Sequence, residues 1–419
     1  MASNIQKPRG TLDILPDKVG VWQYIEKTAR DISAKYGFGE IRFPTFENID
    51  LFQRGVGDTT DVVQKEMYAL EAKGNGEARY ALRPEGTACI VRSIIENGKC
   101  SDAMPLKLYY IINCFRYEKP QAGRFREFFQ YGVEMFGADS ALADANVIAL
   151  ANEIITTLGV KGVTLHLNSI GCPNCRPKYH AALKDYFSTH KEELCDTCRE
   201  RLEKNPLRIL DCKSPVCSAI ADGAPRTIDH LCDDCKNHMD TLTRALDEMG
   251  IAYEIDSRVV RGLDYYTKTV FEFVSPITGA AQSTICGGGR YDGLVKELGG
   301  PALPGIGFAI GLNRLIDAME KSGVVPETKK VPLLYIASMG TDAALRAASV
   351  AARFRAAGKW AESDIVGRSL KAQMKYADKI GAQYTLILGD NELAAGKAQL
   401  KNMVSGEQTE VDIDTFMID

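Results

Sequence analysis

The chain has 419 residues, 45% of them hydrophobic, with 51 Lys and Arg against 55 Asp and Glu, for a formal charge of −4. That length predicts roughly two to four domains with conventional cores, and the slightly acidic balance excludes a generally basic nucleic-acid coat, so a nucleic-acid partner has to be held by local patches. The N-terminal MASNIQKPRGTLDILPD lacks an apolar core of signal-peptide length, and no later run approaches the ~20 apolar residues that cross a bilayer; the expected location is the cytoplasm, with no membrane contact.

Residues from about 18 to 36 (VGVWQYIEKTARDISAKYG) have the spacing of an amphipathic helix ended by Gly37. FGEIRFPTFENIDLF then reads as a strand interrupted by Pro44, hence an edge or irregular strand, followed by a short helix. In YALRPEGTACIVRSIIENG, Pro84 marks a helix start and Gly98 its stop, which places Glu85 and Thr87 beside the free N–H groups of a helix N-terminus. There Glu85 either meets a polar ligand or simply complements the helix dipole.

The stretch from Cys114 to Gly137, CFRYEKPQAGRFREFFQYGVEMFG, reads as a β-hairpin with a charged face. At strand period two, Arg116 and Glu118 share a face on the way in, and Gln130 and Glu134 share one on the way out. Lys119, Arg124 and Arg126 crowd a nine-residue loop carrying Pro120 and Gly123, longer than a tight hairpin needs and rich in donors for phosphate. A solvated, salt-bridged edge hairpin fits the same spacing.

A helix (ADSALADANVIALANEIITTLG) and a strand (VTLHLNS) come next, and then a block that holds all five histidines and eight of the twelve cysteines between residues 166 and 238. The cysteines fall into pairs: Cys172 with Cys175, Cys195 with Cys198, Cys212 with Cys217, and Cys232 with Cys235. Three pairs are CxxC knuckles, whose spacing lets two thiolates converge on one tetrahedral ion, and in a reducing cytosol metal is favoured over disulfide. One or two structural zinc sites, or a reduced helical insert without metal, both fit. Four thiolates leave no open coordination position, so zinc here would not be catalytic.

Strands return near residue 250, in YEIDSRVVRGLDYYTKTVFEFVS, ICGGGRYDGLV and GIGFAIGLNRLIDAM. The triple glycine 287–289 permits close backbone approach or tight packing, and Gly305–Gly311 reads as a buried strand turning into a helix that bears Arg314. Neither has dinucleotide or P-loop spacing. Beyond the polar linker EKSGVVPETKKVP, strands and helices alternate in the manner of a small α/β domain with a mostly parallel sheet.

FGEIRFPTFE, the hairpin and GIGFAIGLNRL resemble, in order, the three motifs of class II aminoacyl-tRNA synthetases, while RGLDYYTKTVFEF and GGGRYDGL resemble two signatures of the histidyl-tRNA synthetase family. The resemblance covers nearly the whole chain. It implies an α+β catalytic domain built on an antiparallel sheet with flanking helices (residues 1–165 and 251–322), a helical Cys-rich insertion at 166–250, and an anticodon-binding α/β domain at 331–419. It also implies a homodimer whose substrates are histidine, tRNA(His) and ATP with Mg. Histidine and ATP give histidyl-adenylate and pyrophosphate, and the histidyl group then passes to the terminal ribose of the tRNA.

By that resemblance, Arg116 and Arg261 flank the α-phosphate, Arg261 standing where other class II enzymes place a metal ion. Arg314 serves the γ-phosphate and the adenine face, Phe128 stacks on adenine, Glu118 lies near its amino group, and Arg124 lies near the triphosphate or the tRNA end. Glu85, Thr87 and Gln130 hold the α-amino group, and Tyr265 and Tyr291 line the amino-acid pocket. Neutral imidazole offers one N–H donor and one acceptor, which Glu134 and the Tyr266 hydroxyl match. Zinc at the eight cysteines rests on spacing alone, since paired cysteines are not general in the family. Two other readings compete: a non-catalytic, synthetase-like regulatory subunit of histidine biosynthesis, and a nucleic-acid-binding protein whose working part is the cysteine block.

Overall fold

Two apolar runs of the hairpin pair over their full length, Leu106–Phe115 against Glu127–Phe136, as the longest ladder of the larger sheet. In the computed structural model, which describes residues 5–418 apart from 58–59, 72–78, 120–123, 213, 279–282, 325, 327 and 329, the chain forms two compact units, Met1–Pro326 and Glu327–Asp419.

In chain order the first unit contains β1 (Gly39–Glu40), β2 (Phe46–Asn48), β3 (Tyr80–Leu82), β4 (Leu106–Phe115), β5 (Glu127–Phe136), β6 (Thr164–Ser169), β7 (Glu254–Ile255), β8 (Thr267–Val274), β9 (Thr284–Arg290) and β10 (Gly305–Gly311). Eight of these form one sheet in the order β1-β4-β5-β10-β9-β8-β6-β7. It is antiparallel throughout its middle, with short parallel pairings at the two edges. Pro44 comes after edge strand β1, as a residue without a ladder N–H should. The helices Pro16–Lys35, Ala141–Thr157 and Asp233–Glu248 bury Ile25, Ile148, Leu150 and Leu242 in one apolar core with Val133, Phe271 and Phe308 of the sheet.

Three boundaries differ from the sequence reading. Strand β4 ends at Phe115, so Arg116 and Glu118 stand in the connection between strands rather than on a pleated face, while Pro120 and Gly123 lie outside the described residues. The helix expected from Pro84 begins at Thr87, because Glu85 accepts the N–H groups of Thr87 and Ala88 at 2.8 and 2.9 Å and so caps it from outside. His166 belongs to β6 of the main sheet, so the helical cysteine segment starts after Ser169 rather than at residue 166.

The second unit contains β11 (Leu334–Ser338), β12 (Ala361–Ser363), β13 (Tyr384–Leu388), β14 (Lys397–Asn402) and β15 (Gln408–Asp412), in the order β12-β11-β13-β14-β15. The first three pair in parallel and the last two add antiparallel, so the sheet is mixed rather than mostly parallel. The cause is local. Gly396, at φ +66°, stops the helix Asp390–Ala395 and the chain turns directly into β14, a return too short for the crossover that a parallel neighbour needs.

Arg290 of β9 is fully buried. It donates to Asp144 on the helix Ala141–Thr157 (3.1 Å from Nε) and to the Ala138 carbonyl, while His238 meets the same carboxylate at 2.7 Å from a third element. Removing one member of a buried charge network leaves its partner uncompensated. Arg290→Met is therefore expected to destabilise the first unit by about 3–5 kcal/mol, read from its denaturant midpoint; a loss under about 1 kcal/mol would mean that water or rearrangement satisfies Asp144.

Candidate active site

The middle of the sheet carries almost no side chains on one face, and the space left there is a cavity of about 840 Å³. Register explains it. Glu134 of β5 lies opposite Gly307 of β10, which lies opposite Gly289 of β9; elsewhere along the same strands Gly132, Ala309 and Gly287 align, with Glu272 of β8 next in the row. A Cβ on Gly287 would meet the Arg261 guanidinium at 2.5 Å, one on Gly289 would meet the Tyr266 ring at 2.8 Å, and one on Gly307 would strike the Glu134 carboxylate. The row of glycines is thus the floor on which the larger polar groups lie.

Every substrate-site residue expected from the sequence lines this one cavity: Arg116, Glu118, Arg124, Phe128, Gln130, Glu134, Glu85, Thr87, Arg261, Tyr265, Tyr266, Tyr291 and Arg314. Arg116 donates to the Pro84 carbonyl at 3.0 Å and its guanidinium sits 5.2 Å from the Phe128 ring centre. Arg314 donates to the Thr284 carbonyl at 2.9 Å; burial and the nearby Arg124 depress its pKa. Arg124 pairs with Glu118 at 3.1 Å. Arg261 takes a left-handed backbone conformation, φ +61°, and pairs with Glu272, whose charge raises the guanidinium pKa despite burial working against it. Its Nε is buried without a partner among the described residues.

At the other end, Glu134 is 1% exposed and accepts from the Thr87 hydroxyl at 2.7 Å and from the Tyr291 hydroxyl. Tyr265 packs against Tyr266 in a tilted arrangement and against Tyr291 edge-to-face, with ring centres 4.7 and 5.5 Å apart. Burial pushes the Glu134 carboxyl up to about 8, against the pull of the Tyr291 and Thr87 hydroxyls. The folded state therefore binds the proton more tightly than the unfolded chain. That contribution to stability is complete below the unfolded value, about pH 4.3, and is lost as pH rises through about 8. Each unit of such a difference corresponds to about 1.4 kcal/mol, so Glu134→Gln is expected to flatten the decline in denaturant midpoint between about pH 5 and pH 8. A variant with the wild-type slope would place that linkage elsewhere.

The sequence reading missed Glu272, Tyr110 and a wall contributed by the insertion, where Arg208, Asp211 and Cys212 reach the cavity. Glu272 had a signal: in the strand TKTVFEFV it is the one acidic residue, set between Phe271 and Phe273. Tyr110 had none, since its ring fills the space above Gly86 and Gly132, a fit that only the register reveals.

The eight insertion cysteines form two groups of four: Cys172, Cys175, Cys232 and Cys235, and Cys195, Cys198, Cys212 and Cys217. In each, the sulfurs lie within 4.8 Å of one another. In the first, Cys172 to Cys232, Cys172 to Cys175 and Cys175 to Cys235 measure 3.7, 3.7 and 3.8 Å; in the second, Cys195 to Cys212 measures 3.9 Å. The first group thus joins the outermost two pairs across the whole insertion, and the second nests inside it.

The family model described as Histidyl-tRNA synthetase matches residues 10–175 and 218–315, and one described as Anticodon binding domain matches 331–417. A histidine–tRNA ligase of Acetivibrio thermocellus is 53% identical over 413 residues, covering 98% of both chains, and one of Clostridium perfringens is 50% identical over 412 residues, covering 98% of this chain and 97% of that one. The apo histidyl-tRNA synthetase of S. aureus superposes with a TM-score of 0.83 at 37% identity over 98% of both chains. A Bacillus halodurans protein described as an ATP phosphoribosyltransferase regulatory subunit/histidyl-tRNA synthetase shares the fold, with a TM-score of 0.66 at 22% identity, over 93% of this chain and 99% of that one. Across nearly its full length, this chain belongs to the histidyl-tRNA synthetase family.

Proposed function

We infer that this protein activates histidine with ATP, forming histidyl-adenylate and pyrophosphate, and transfers the histidyl group to the terminal ribose of tRNA(His). The observation that carries this reading is the convergence of Arg116, Arg261 and Arg314 with Glu134 and Tyr266 on one cavity, in a chain of this family. Attack of the histidine carboxylate on the α-phosphorus adds negative charge to the phosphate oxygens as pyrophosphate leaves, and guanidinium groups already in place stabilise it. Arg116 and Arg261 take the α-phosphate, Arg314 and Arg124 the β,γ side of ATP·Mg, Phe128 the adenine ring and Glu118 its amino group. Glu134 accepts the imidazole N–H, the Tyr266 hydroxyl donates to the other ring nitrogen, and Glu85, Thr87 and Gln130 face the α-amino group, with Tyr265 and Tyr291 as walls. The regulatory-subunit alternative is disfavoured, because the three arginines stand and a full second unit matches the anticodon-binding model. Histidine-dependent exchange of pyrophosphate into ATP tests the reading; folded protein without such exchange would defeat it.

The protein acts as a homodimer, a reading supported by the exposed aromatic pair Phe46 and Tyr80, each 51% exposed on the small β2–β3 sheet, Phe46 lying within the stretch that resembles the class's first motif. Its compartment is the cytoplasm, where its substrates are; no helix among the described residues is long and apolar enough to cross a membrane. Each cysteine quartet holds a structural zinc ion. A tetrahedron with Zn–S bonds of ~2.3 Å has S···S edges of about 3.8 Å, and the measured separations are 3.7 to 3.9 Å. Elemental analysis is expected to return two zinc ions per chain, one for each quartet, and a metal-free folded protein would refute the assignment.

A further inference from the structure

The segment from Val260 to Lys268 carries the substrate-facing Arg261, Tyr265 and Tyr266, yet its own conformation is costly. Arg261 and Lys268 both have left-handed backbones, φ +61° and +49°, a conformation that side-chain-bearing residues keep only where the surroundings over-determine it. Between Ile255 and Thr267 no strand or helix holds the chain. The restraint has to come from outside the segment.

Beside the Asp264 N–H on the Val56 carbonyl at 3.4 Å and Asn168 Nδ2 on the Val259 carbonyl at 3.0 Å, contacts that supply it come from residues adjoining the two cysteine quartets. On the first, Gly171 precedes Cys172 and its carbonyl accepts the Lys268 N–H at 2.9 Å, while the Ile170 N–H donates to the Lys268 carbonyl at 2.8 Å. Arg176 directly succeeds Cys175 and donates from Nη2 to the Tyr266 carbonyl at 2.5 Å. A Cβ on Gly171 would meet the Cys175 sulfur at 2.6 Å, so quartet and segment are packed through this point without slack. On the second, the stretch between Cys198 and Cys212 supplies Arg208, which donates from Nη2 to the Gly262 carbonyl at 2.6 Å and reaches the Asp264 carboxylate at 3.3 Å. Asn205 reaches the same carboxylate oxygen at 3.3 Å. Val260 is itself buried in the small core that the second quartet shares, with Leu183, Phe187, Leu202 and Cys198.

We propose that the two metal-loaded quartets are paired clamps on this segment, one at each end, and that Arg208 and Arg176 are positioning residues: Arg208 fixes the backbone beside Arg261, and Arg176 fixes that of Tyr266. The proposal rests on the zinc and ligase readings above. Small insert cores depend on metal for their order, so zinc loading sets the geometry of the arginine that meets the α-phosphate. The insertion is then part of the catalytic apparatus rather than an appendage beside it.

Hydrogen exchange on the full-length, zinc-loaded protein tests the clamp independently of activity. Arg208→Ala should speed exchange of the 259–268 amides at least about tenfold while leaving both quartets loaded with zinc. It should lower the kcat of pyrophosphate exchange at least about tenfold with the KM for histidine and ATP within about threefold, and Arg208→Lys, which can still reach one acceptor, should recover most of that loss. Stripping zinc under reducing conditions should speed the same amides, and adding it back should restore them. Amide protection unchanged by complete zinc removal, or Arg208→Ala at wild-type kcat, would overturn the proposal. Failure of the underlying readings looks different: a folded chain without metal defeats the zinc sites and the metal-loaded clamp with them, whereas a loaded wild-type chain without pyrophosphate exchange defeats the ligase reading and leaves amide protection to decide the clamp.

Discussion

Arg261→Ala is expected to lower the kcat of histidine-dependent pyrophosphate exchange by about 10²–10³-fold, the usual loss when one preorganised charge stabiliser is removed, while the KM for histidine changes less than about threefold. The geometry sets up this asymmetry. The guanidinium lies over Gly287, where a Cβ would sit 2.5 Å from it, and is held by Glu272, which is in turn bound at 2.7 Å by the Thr284 hydroxyl. Its Nε is buried without a partner among the described residues, and on the proposed role that donor meets an oxygen arriving with substrate. A stabiliser of charge that appears only during phosphoryl attack lowers the barrier without tightening ground-state binding. Arg261→Lys should recover little, because an ammonium lacks the planar fork that can hold Glu272 and a phosphate oxygen together. Single-turnover adenylate formation and equilibrium histidine binding separate the two effects. Equal losses in both would reassign Arg261 to the amino acid.

How much of the fold and the site was legible in the sequence depends on whether a feature is local. The Ser140-capped helix Ala141–Thr157 and the second hairpin strand, Glu127–Phe136, can be read from caps and periodicity, whereas the first strand lies at Leu106–Phe115, mostly before the Cys114 start that its charged residues suggest. The two quartets could not, because knuckle spacing identifies which cysteines bind as pairs but not which pairs meet; Cys172 and Cys232 are joined only by the folding of the intervening helices. The same limit hid Tyr110, and it left the triple glycine undecided between packing and approach. In the fold it does both: Gly288 meets Phe308 and Phe271, while Gly287 and Gly289 give way to Arg261 and Tyr266. Strand β14 was missed because a glycine at a helix end predicts a stop and carries no information about the direction of the next strand. For the site, residue types and order were readable through motifs, but the ion pair Arg261–Glu272 and the hydroxyl grip on Glu134 are properties of strand register.

Glu134→Gln is expected to reduce kcat/KM for histidine by about 10²–10³-fold, with the KM for ATP changed less than about threefold. The substitution keeps volume and shape, so the small space over Gly307 is preserved. It changes what the group can accept. With histidine bound, the imidazole N–H joins the Thr87 and Tyr291 hydroxyls as a third donor, which favours the ionised carboxylate and fills its remaining lone pairs, whereas an amide turns one of its two atoms into a donor. A donor is then set against Thr87, Tyr291 or the imidazole. A lost hydrogen bond to a charged acceptor with one buried group left unsatisfied costs about 3–4 kcal/mol, the stated loss in specificity. The same reasoning predicts discrimination by the wild-type chain: an apolar side chain of imidazole size would bury Glu134 without its third donor, a penalty that shape alone cannot impose. The variant should therefore lose rate on histidine while losing little of its already poor rate on phenylalanine. If its kcat/KM for histidine stays within about fivefold of wild type, a change of only about 1 kcal/mol, the ring is gripped by other groups, and Tyr265 and Tyr266 become the first to examine.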